Sequence, residues 1–337
     1  SGVDNPSGKG MMLIKGCALI TTYRCNSACL MCNRHQRQSQ AEEEFKPEMV
    51  KKLPLLHFIN ITGGEPFLRD DIGEIIKLAC KKAQRVVVST NGTLKEQILK
   101  AMSDVPRRVG VRVSLEGNQK INDFVRGVPG GYDTALSTLK ELQKMGFKDV
   151  GISMTVGDWN YQDVLDMYHL CKRNHWQFAT GTVHSSFFFE SSNEKVELKK
   201  KKEICEALTQ LSMEMYADWG IKLKYRALYN QLLVEHIQGI PFPVQCTCGK
   251  DFFAINPFGE VYACLGSTEP KVMGNLNTST FKEVWSSQKA KIARSQCASC
   301  TKNCCMSGNR SIDMKNHILA CTQAVIKHNR GIKPLST

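Results

Sequence analysis

The sequence predicts an α/β fold in which a parallel sheet is covered by helices and a small cysteine-rich module follows. Three observations carry that expectation. Short apolar, strand-like runs recur at residues 13–22, 58–62, 85–90, 109–115, 150–156 and 177–183. Amphipathic stretches lie between them. Eight of the fifteen cysteines crowd into the segment after Val244. Regular strand–helix alternation means a parallel sheet, either doubly wound or curved toward a barrel, with chemistry at the C-terminal ends of the strands.

Taken in order, the first interval holds Ile72, Ile75, Ile76 and Ala79 at helical spacing. Ala135, Leu136, Leu139 and Leu142 repeat the pattern, as do Val164, Leu165, Tyr168 and Cys171, and the intervals together make about six βα units. Ser191 and Glu194, spaced as a capping box, announce a further helix carrying Ile204, Leu208, Leu211 and Met215. Past Gly220 the pattern changes, so residues 1–220 are assigned to the sheet-and-helix domain and 221–337 to the cysteine-rich one. Within the latter, the run from Ile255 to Leu265 reads as a hairpin turning at residues 256–260.

Composition narrows the function classes. With 337 residues, 42% hydrophobic and 23% charged, the chain can bury a full core. No apolar run reaches the ~18–20 residues of a membrane span, and the first ten residues are polar and glycine-rich, so the expectation is a soluble cytoplasmic protein. A reducing compartment argues against a disulfide framework and makes metal the default explanation of the cysteines. The formal charge of +13 suits nucleic acid, an acidic substrate or an acidic electron-carrier protein, or serves solubility alone. Only Lys199 to Lys202 form a basic run.

Cys25, Cys29 and Cys32 form a C-x3-C-x2-C run directly after the first strand. Three thiolates on one short loop hold three corners of a [4Fe–4S] cube and leave the fourth iron open. A zinc site would want a fourth ligand, for which His35 is near in sequence.

That run, followed by Gly63-Gly64-Glu65-Pro66 after the second strand, resembles the radical S-adenosylmethionine (radical SAM) enzymes. The resemblance covers nearly the whole chain and implies a partial (β/α)6 barrel with SAM bound on the open iron. It continues at each strand end: Ser89-Thr90-Asn91-Gly92, Ser114-Leu115-Glu116-Gly117 and Met154-Thr155-Val156. By that resemblance Gly63, Gly64, Glu65 and Pro66 meet the SAM amino group. Ser89, Asn91, Ser114 and Glu116 meet ribose or carboxylate, and the fifth strand lies by adenine. Glu116 suits two ribose hydroxyls, and Arg126 suits the SAM carboxylate. Met31 departs from the family pattern, which has an aromatic residue before the third cysteine, and supplies a soft apolar contact instead.

The second cysteine group resembles the SPASM and twitch extensions of these enzymes. Cys248, Gly259 and Cys264 match their opening motif, and Cys246, Cys297, Cys300, Cys304 and Cys321 complete the candidate ligands of one or two auxiliary [4Fe–4S] clusters. Neighbouring side chains rarely enter one cube, so Cys305 is set aside as a thiol able to donate hydrogen to a substrate radical. Cys17, Cys80, Cys171 and Cys205 read as core residues, and the Phe187 to Phe189 run as cavity lining or core.

The resemblance implies reductive SAM cleavage and hydrogen abstraction from a peptide or protein substrate, leading to crosslinking, oxidation or epimerisation. Against a peptide, the cluster loop begins too near residue 1 for a leader-binding domain. The alternative is an oxidoreductase, epimerase or decarboxylase acting on a sugar or aminocyclitol. A flavodoxin or ferredoxin is the expected electron donor. A membrane role is not expected, and a nucleic-acid or zinc module would leave the Gly63 to Pro66 motif unexplained.

Overall fold

The computed structural model describes residues 14–186, 188, 197–267 and 269–331. The expected capping pair Ser191 and Glu194, the flanking phenylalanines Phe187 and Phe189, and the first ten residues lie outside that range. Six parallel strands, β1 (Gly16–Ile20), β2 (Leu56–Thr62), β3 (Ala83–Thr90), β4 (Gly110–Ser114), β5 (Val150–Val156) and β6 (Gln177–Thr182), lie side by side in chain order. An order that never reverses has no switch point. This removes the doubly wound alternative and leaves the partial barrel.

The helices that connect these strands bury the stripes their sequences carry. They are α1 (Ile72–Lys82), α2 (Lys95–Met102), α3 (Gln119–Arg126), α4 (Gly131–Lys144) and α5 (Val164–Arg173). Ile72, Ile75, Ile76 and Ala79 of α1 are buried, as are Ala135, Leu139 and Leu142 of α4. Two long helices follow, α6 (Lys201–Ala217) and α7 (Ile221–Ile237), packed along one another. α6 buries Ile204, Leu208, Leu211 and Met215, the stripe expected of it. α7 carries no such stripe, because it is enclosed by β6, α6 and a C-terminal helix and so has no single buried face. Among the described residues no helix is long and apolar enough to cross a membrane.

The cysteine-rich segment extends the main sheet. β7 (Phe252–Ile255) pairs in parallel with β1, and β8 (Glu260–Tyr262) and β9 (Val272–Asn275) continue the ladder antiparallel, with the turn between β7 and β8 at the expected position. Four helices complete the segment: α8 (Phe281–Ser286), α9 (Gln288–Ala298), α10 (Ser307–Asn316) and α11 (Ile318–Gly331). β1 is therefore interior to the sheet and buried along its whole length. Cys17 within it, and Cys80, Cys171 and Cys205 on helices, are buried core residues. None of the fifteen cysteines is in a disulfide.

A buried charge network fixes the segment after β1. Glu44, with its side chain 1% exposed, takes Arg24 Nη2 at 2.9 Å and Arg69 Nη1 at 3.3 Å. Ser39 Oγ donates to Glu44 Oε1 at 2.7 Å, and Arg69 donates to the Thr21 carbonyl at 2.8 Å and the Phe45 carbonyl at 2.8 Å. Removing the shared anion leaves Arg69 paired to Asp71 at 2.7 Å but takes the carboxylate from Arg24 and one partner from Arg69, a loss of about 1–3 kcal/mol. Glu44→Gln is therefore expected to lower the urea midpoint correspondingly; an unchanged midpoint would show that the network contributes nothing to stability.

Candidate active site and cysteine cavity

Backbone approach, more than side-chain contact, positions Cys25, Cys29 and Cys32. The loop that carries them leaves β1 and passes over the ends of β2 and β3. The amide of Gly64 donates to the Thr22 carbonyl at 2.8 Å, and that of Glu65 to the Arg24 carbonyl at 2.8 Å. A Cβ on Gly64 would stand 2.1 Å from the Arg24 carbonyl oxygen, and one on Gly63 2.7 Å from that of Thr22. On the far side, the Leu30 amide donates to the Val125 carbonyl at 2.9 Å. Gly127, at φ +65°, lies so close that a Cβ would stand 2.8 Å from the Ala28 carbonyl oxygen. The loop is held between three glycines.

The polar strand ends complete the clamp. Asn91 donates from Nδ2 to Asn26 Oδ1 at 2.7 Å and to Ser27 Oγ at 2.9 Å, fastening the stretch between the first two cysteines to the end of β3. Glu65 is fully buried and accepts from the Asn91 amide at 2.6 Å, Thr90 Oγ1 at 2.8 Å and the Phe67 amide at 3.1 Å. Pro66 opens a short 3-10 turn behind it. Ser89 donates to Asn60 Oδ1 at 3.2 Å, and Ser114 is half-buried at the end of β4. The part that Asn26, Ser27 and Thr90 play was not evident from sequence, since they carry no chemistry of their own.

Charge in this pocket centres on Arg126, in the last turn of α3. Its Nη1 lies 3.4 Å from Glu116 Oε1, while Glu116 Oε2 accepts the Thr155 amide of β5 at 2.8 Å. Burial pushes the Glu116 carboxyl up to about 7, against the pull of Arg126 and the Thr155 amide. Burial likewise pushes the Cys25 thiol up to about 12 and raises Cys29 and Cys32, with Arg126 opposing each. Burial would lower Arg126, but Cys29, Glu116, Cys25 and Glu65 outweigh it and raise it. Arg126 Nε is buried and makes no hydrogen bond among the described residues. A donor so placed, between a three-thiol loop and an interior carboxylate, fits a carboxylate-bearing ligand on a thiolate-held cluster.

His35 lies on the short turn after Cys32, with Nδ1 buried and unpaired among the described residues. No group of three or more His, Cys, Asp or Glu among the described residues is drawn close enough to hold a single metal ion. A four-iron cube spreads its thiolates more widely than one ion does.

The second cysteine group forms a cavity of about 570 Å³ lined by Cys246, Cys248, Cys264, Cys297, Cys300 and Cys304. The neighbouring Cys248 and Cys297 thiols lower the pKa of Cys264 while theirs are raised, and the Gly266 amide points at the Cys264 sulfur at 3.1 Å. Cys246 is drawn down to about 7 by the Cys248 thiol. The adjacent pair separates: Cys304 lines the cavity, whereas Cys305 Sγ lies 3.7 Å from Tyr229 Oη in the core. Cys321 is wholly buried in the core, outside the cavity lining. Lys302 closes one side, donating to the Ser185 and Gly266 carbonyls at 2.7 Å each.

Comparison with known proteins agrees with this geometry. The radical SAM superfamily model matches residues 19–171, from β1 into α5, and the SPASM iron–sulfur cluster-binding domain matches residues 246–306. The Fe-coproporphyrin III synthase of Methanosarcina barkeri is 37% identical over 158 residues, which span 44% of this chain and only 39% of that protein. The AdoMet-dependent heme synthase of Nitratidesulfovibrio vulgaris is 32% identical over 304 residues, 80% of this chain and 78% of that one. The mycofactocin maturase MftC of Mycolicibacterium smegmatis is 27% identical over 281 residues, covering 78% and 68%. Native anSMEcpe with bound AdoMet and Cp18Cys peptide shares the fold, with a TM-score of 0.61 at 19% identity over 95% of this chain and 100% of that one.

The glycine clamp has a direct test. Gly64→Ala forces the Arg24 carbonyl away and is expected to cost about 1–3 kcal/mol, with loss of iron from the first loop only. Retention of full iron and stability would mean that the close approach is not needed.

Proposed function

We propose, for a chain that belongs to the radical SAM superfamily and carries a SPASM iron–sulfur domain, that it abstracts hydrogen from a peptide or protein substrate held over the ends of the β1–β6 strands. The two domains imply a [4Fe–4S] cluster with SAM and auxiliary iron–sulfur clusters. When bound, the cluster and SAM supply one-electron reductive cleavage to methionine and a 5′-deoxyadenosyl radical.

The chain's own residues bind and orient. Cys25, Cys29 and Cys32 hold the cube in the clamped loop. The buried, unpaired Nε of Arg126 is the observation that carries the reading, because it offers an interior donor to the SAM carboxylate. Glu116 orients the ribose hydroxyls, its position set by Arg126 and the Thr155 amide. Gly63 to Pro66 bring backbone polar groups to the amino group, and Ser89, Asn91 and Ser114 line the strand ends. The cavity of Cys246, Cys248, Cys264, Cys297, Cys300 and Cys304 holds auxiliary iron–sulfur chemistry. An acidic flavodoxin or ferredoxin is the proposed electron donor, matched to the +13 charge.

The peptide reading is supported by similarity to MftC and to the subtilosin biosynthesis protein AlbA of Bacillus subtilis, 26% identical over 79% of this chain. A second reading, a tetrapyrrole substrate, is favoured by the 32% identity to a heme synthase over 80% of the chain. The names of these relatives do not speak for the sugar or aminocyclitol alternative.

Anaerobically reconstituted protein with SAM and dithionite is expected to release 5′-deoxyadenosine, and Cys25, Cys29 and Cys32 changed together to Ala to abolish it. Arg126→Met is expected to raise the KM for SAM about 10- to 100-fold, the loss of one charged hydrogen bond at ~1.5–3 kcal/mol. An unaltered KM would remove Arg126 from SAM binding. For the substrate, short peptides encoded beside the gene are compared with Fe-coproporphyrin III. A mass change in a peptide supports the first reading; turnover with the porphyrin alone replaces it with the second.

A further inference from the structure

At the end of the barrel opposite the cysteine loop, four cationic side chains surround one carboxylate. Arg85 and Arg112 stand near the starts of β3 and β4, and Asp149 immediately precedes β5. Arg85 Nη2 lies 2.7 Å from Asp149 Oδ2, Arg112 Nη2 lies 2.7 Å from Asp149 Oδ1, and Lys222 Nζ lies 3.4 Å from the same Oδ1. Arg226, one turn beyond Lys222 on α7, is near enough for the charges of Arg112, Asp149 and Arg85 to act on it. Burial draws it down to about 10, with Arg112 and Arg85 adding repulsion that Asp149 only partly offsets. Lys222 is drawn down to about 8 by burial, with Arg226, Arg112 and Arg85 adding to the fall against Asp149.

The cluster lacks counter-charge. Among the described residues Arg226 makes no hydrogen bond or ion pair, and it is not among those with an undescribed interaction. Asp218, just ahead of α7, is committed to Lys172 at 2.5 Å and to the Tyr168 hydroxyl at 2.5 Å. The helix that carries Lys222 and Arg226 compounds the imbalance. Its first turn has no acidic residue and its N-cap is Gly220 without a side-chain cap, so Lys222 and Lys224 sit where the macrodipole disfavours cations.

We propose that this end of the barrel binds a polyvalent oxyanion of the phosphate type, free or as a terminal phosphate ester, between Arg226, Lys222, Arg85 and the start of α7. Arg112, with one nitrogen on Asp149 and another on the Val111 and Asp149 carbonyls, positions the carboxylate that spaces the cations. A single carboxylate ligand would offset one of the cluster's excess positive charges, whereas a phosphate dianion offsets two and accepts from two guanidinium forks at once. The site lies away from the cysteine loop, so its occupancy acts on stability and not on SAM binding.

The test is thermal unfolding of the reconstituted holoprotein, with inorganic phosphate, pyrophosphate or ADP titrated against chloride at matched ionic strength. Phosphate is expected to raise Tm by several degrees where chloride does not. Arg226→Gln is expected to be at least as stable as the parent in chloride, to weaken apparent phosphate affinity tenfold or more, and to leave SAM cleavage unchanged. Lys222→Gln should weaken it in the same direction. A stronger response to ADP than to phosphate and pyrophosphate assigns the site to an organic phosphate; an equal or weaker one assigns it to the free anion. Equal effects of chloride and all three phosphates, or full phosphate response in both variants, would overturn the proposal. So would an Arg226→Gln protein destabilised alike with and without phosphate, since that marks a purely structural cation.

Discussion

The close backbone approach of Gly64 and Gly127 to the cysteine loop is the constraint on which the rest of this site depends. A loop bearing three buried thiols has little of its own to hold it, since burial disfavours the thiolates that iron requires. The fold compensates with geometry. Two chain segments press the Arg24 and Ala28 carbonyls from either side at distances no side chain would allow. The entropy of arranging three ligands is thereby met in folding, before any iron arrives. Glu44, Arg24 and Arg69 anchor the same loop from beneath, and Asn91 ties its crown to β3.

The continuity of the sheet has a second consequence. Because β7 pairs with β1, the turn that follows it comes to lie beside the cysteine loop: Phe258 packs edge-on to Tyr23 at 5.7 Å, and the Phe45 amide donates to the Pro257 carbonyl at 2.7 Å. The auxiliary cysteines are carried by the same strands at their other ends, Cys264 just past β8 and Cys248 just before β7. The same ladder thus sets both cysteine groups.

Much of this was legible in the sequence, and the exceptions have physical causes. Strands and amphipathic helices showed themselves by periodicity, and the two cysteine groups by spacing. α7 did not, since a helix covered on several sides carries no stripe. Glu44 looked like one of three consecutive acids, and nothing local reveals that Arg24 and Arg69 converge on it. Spacing set Cys304 among the ligands and Cys305 apart from them, and the backbone sends Cys304 into the cavity; that Cys305 turns toward Tyr229 in the core had no sequence signal. The basic residues appeared scattered because Arg85, Arg112 and Arg226 are far apart in the chain and meet only when parallel strands bring their starts together. Gly63 and Gly64 were read as ligand contacts; the structure adds that they are where the loop is pinned.

The measurement closest to the central claim is hydrogen exchange of the iron-free protein, followed at the amides of Leu30, Cys32, Gly64 and Glu65. Each of these donates to a backbone carbonyl in the clamp. A loop arranged by the fold predicts protection of all four before iron is added, with protection lost in Gly64→Ala. Free exchange at these amides until a cluster is assembled would contradict it, and would make the metal the organiser of the loop.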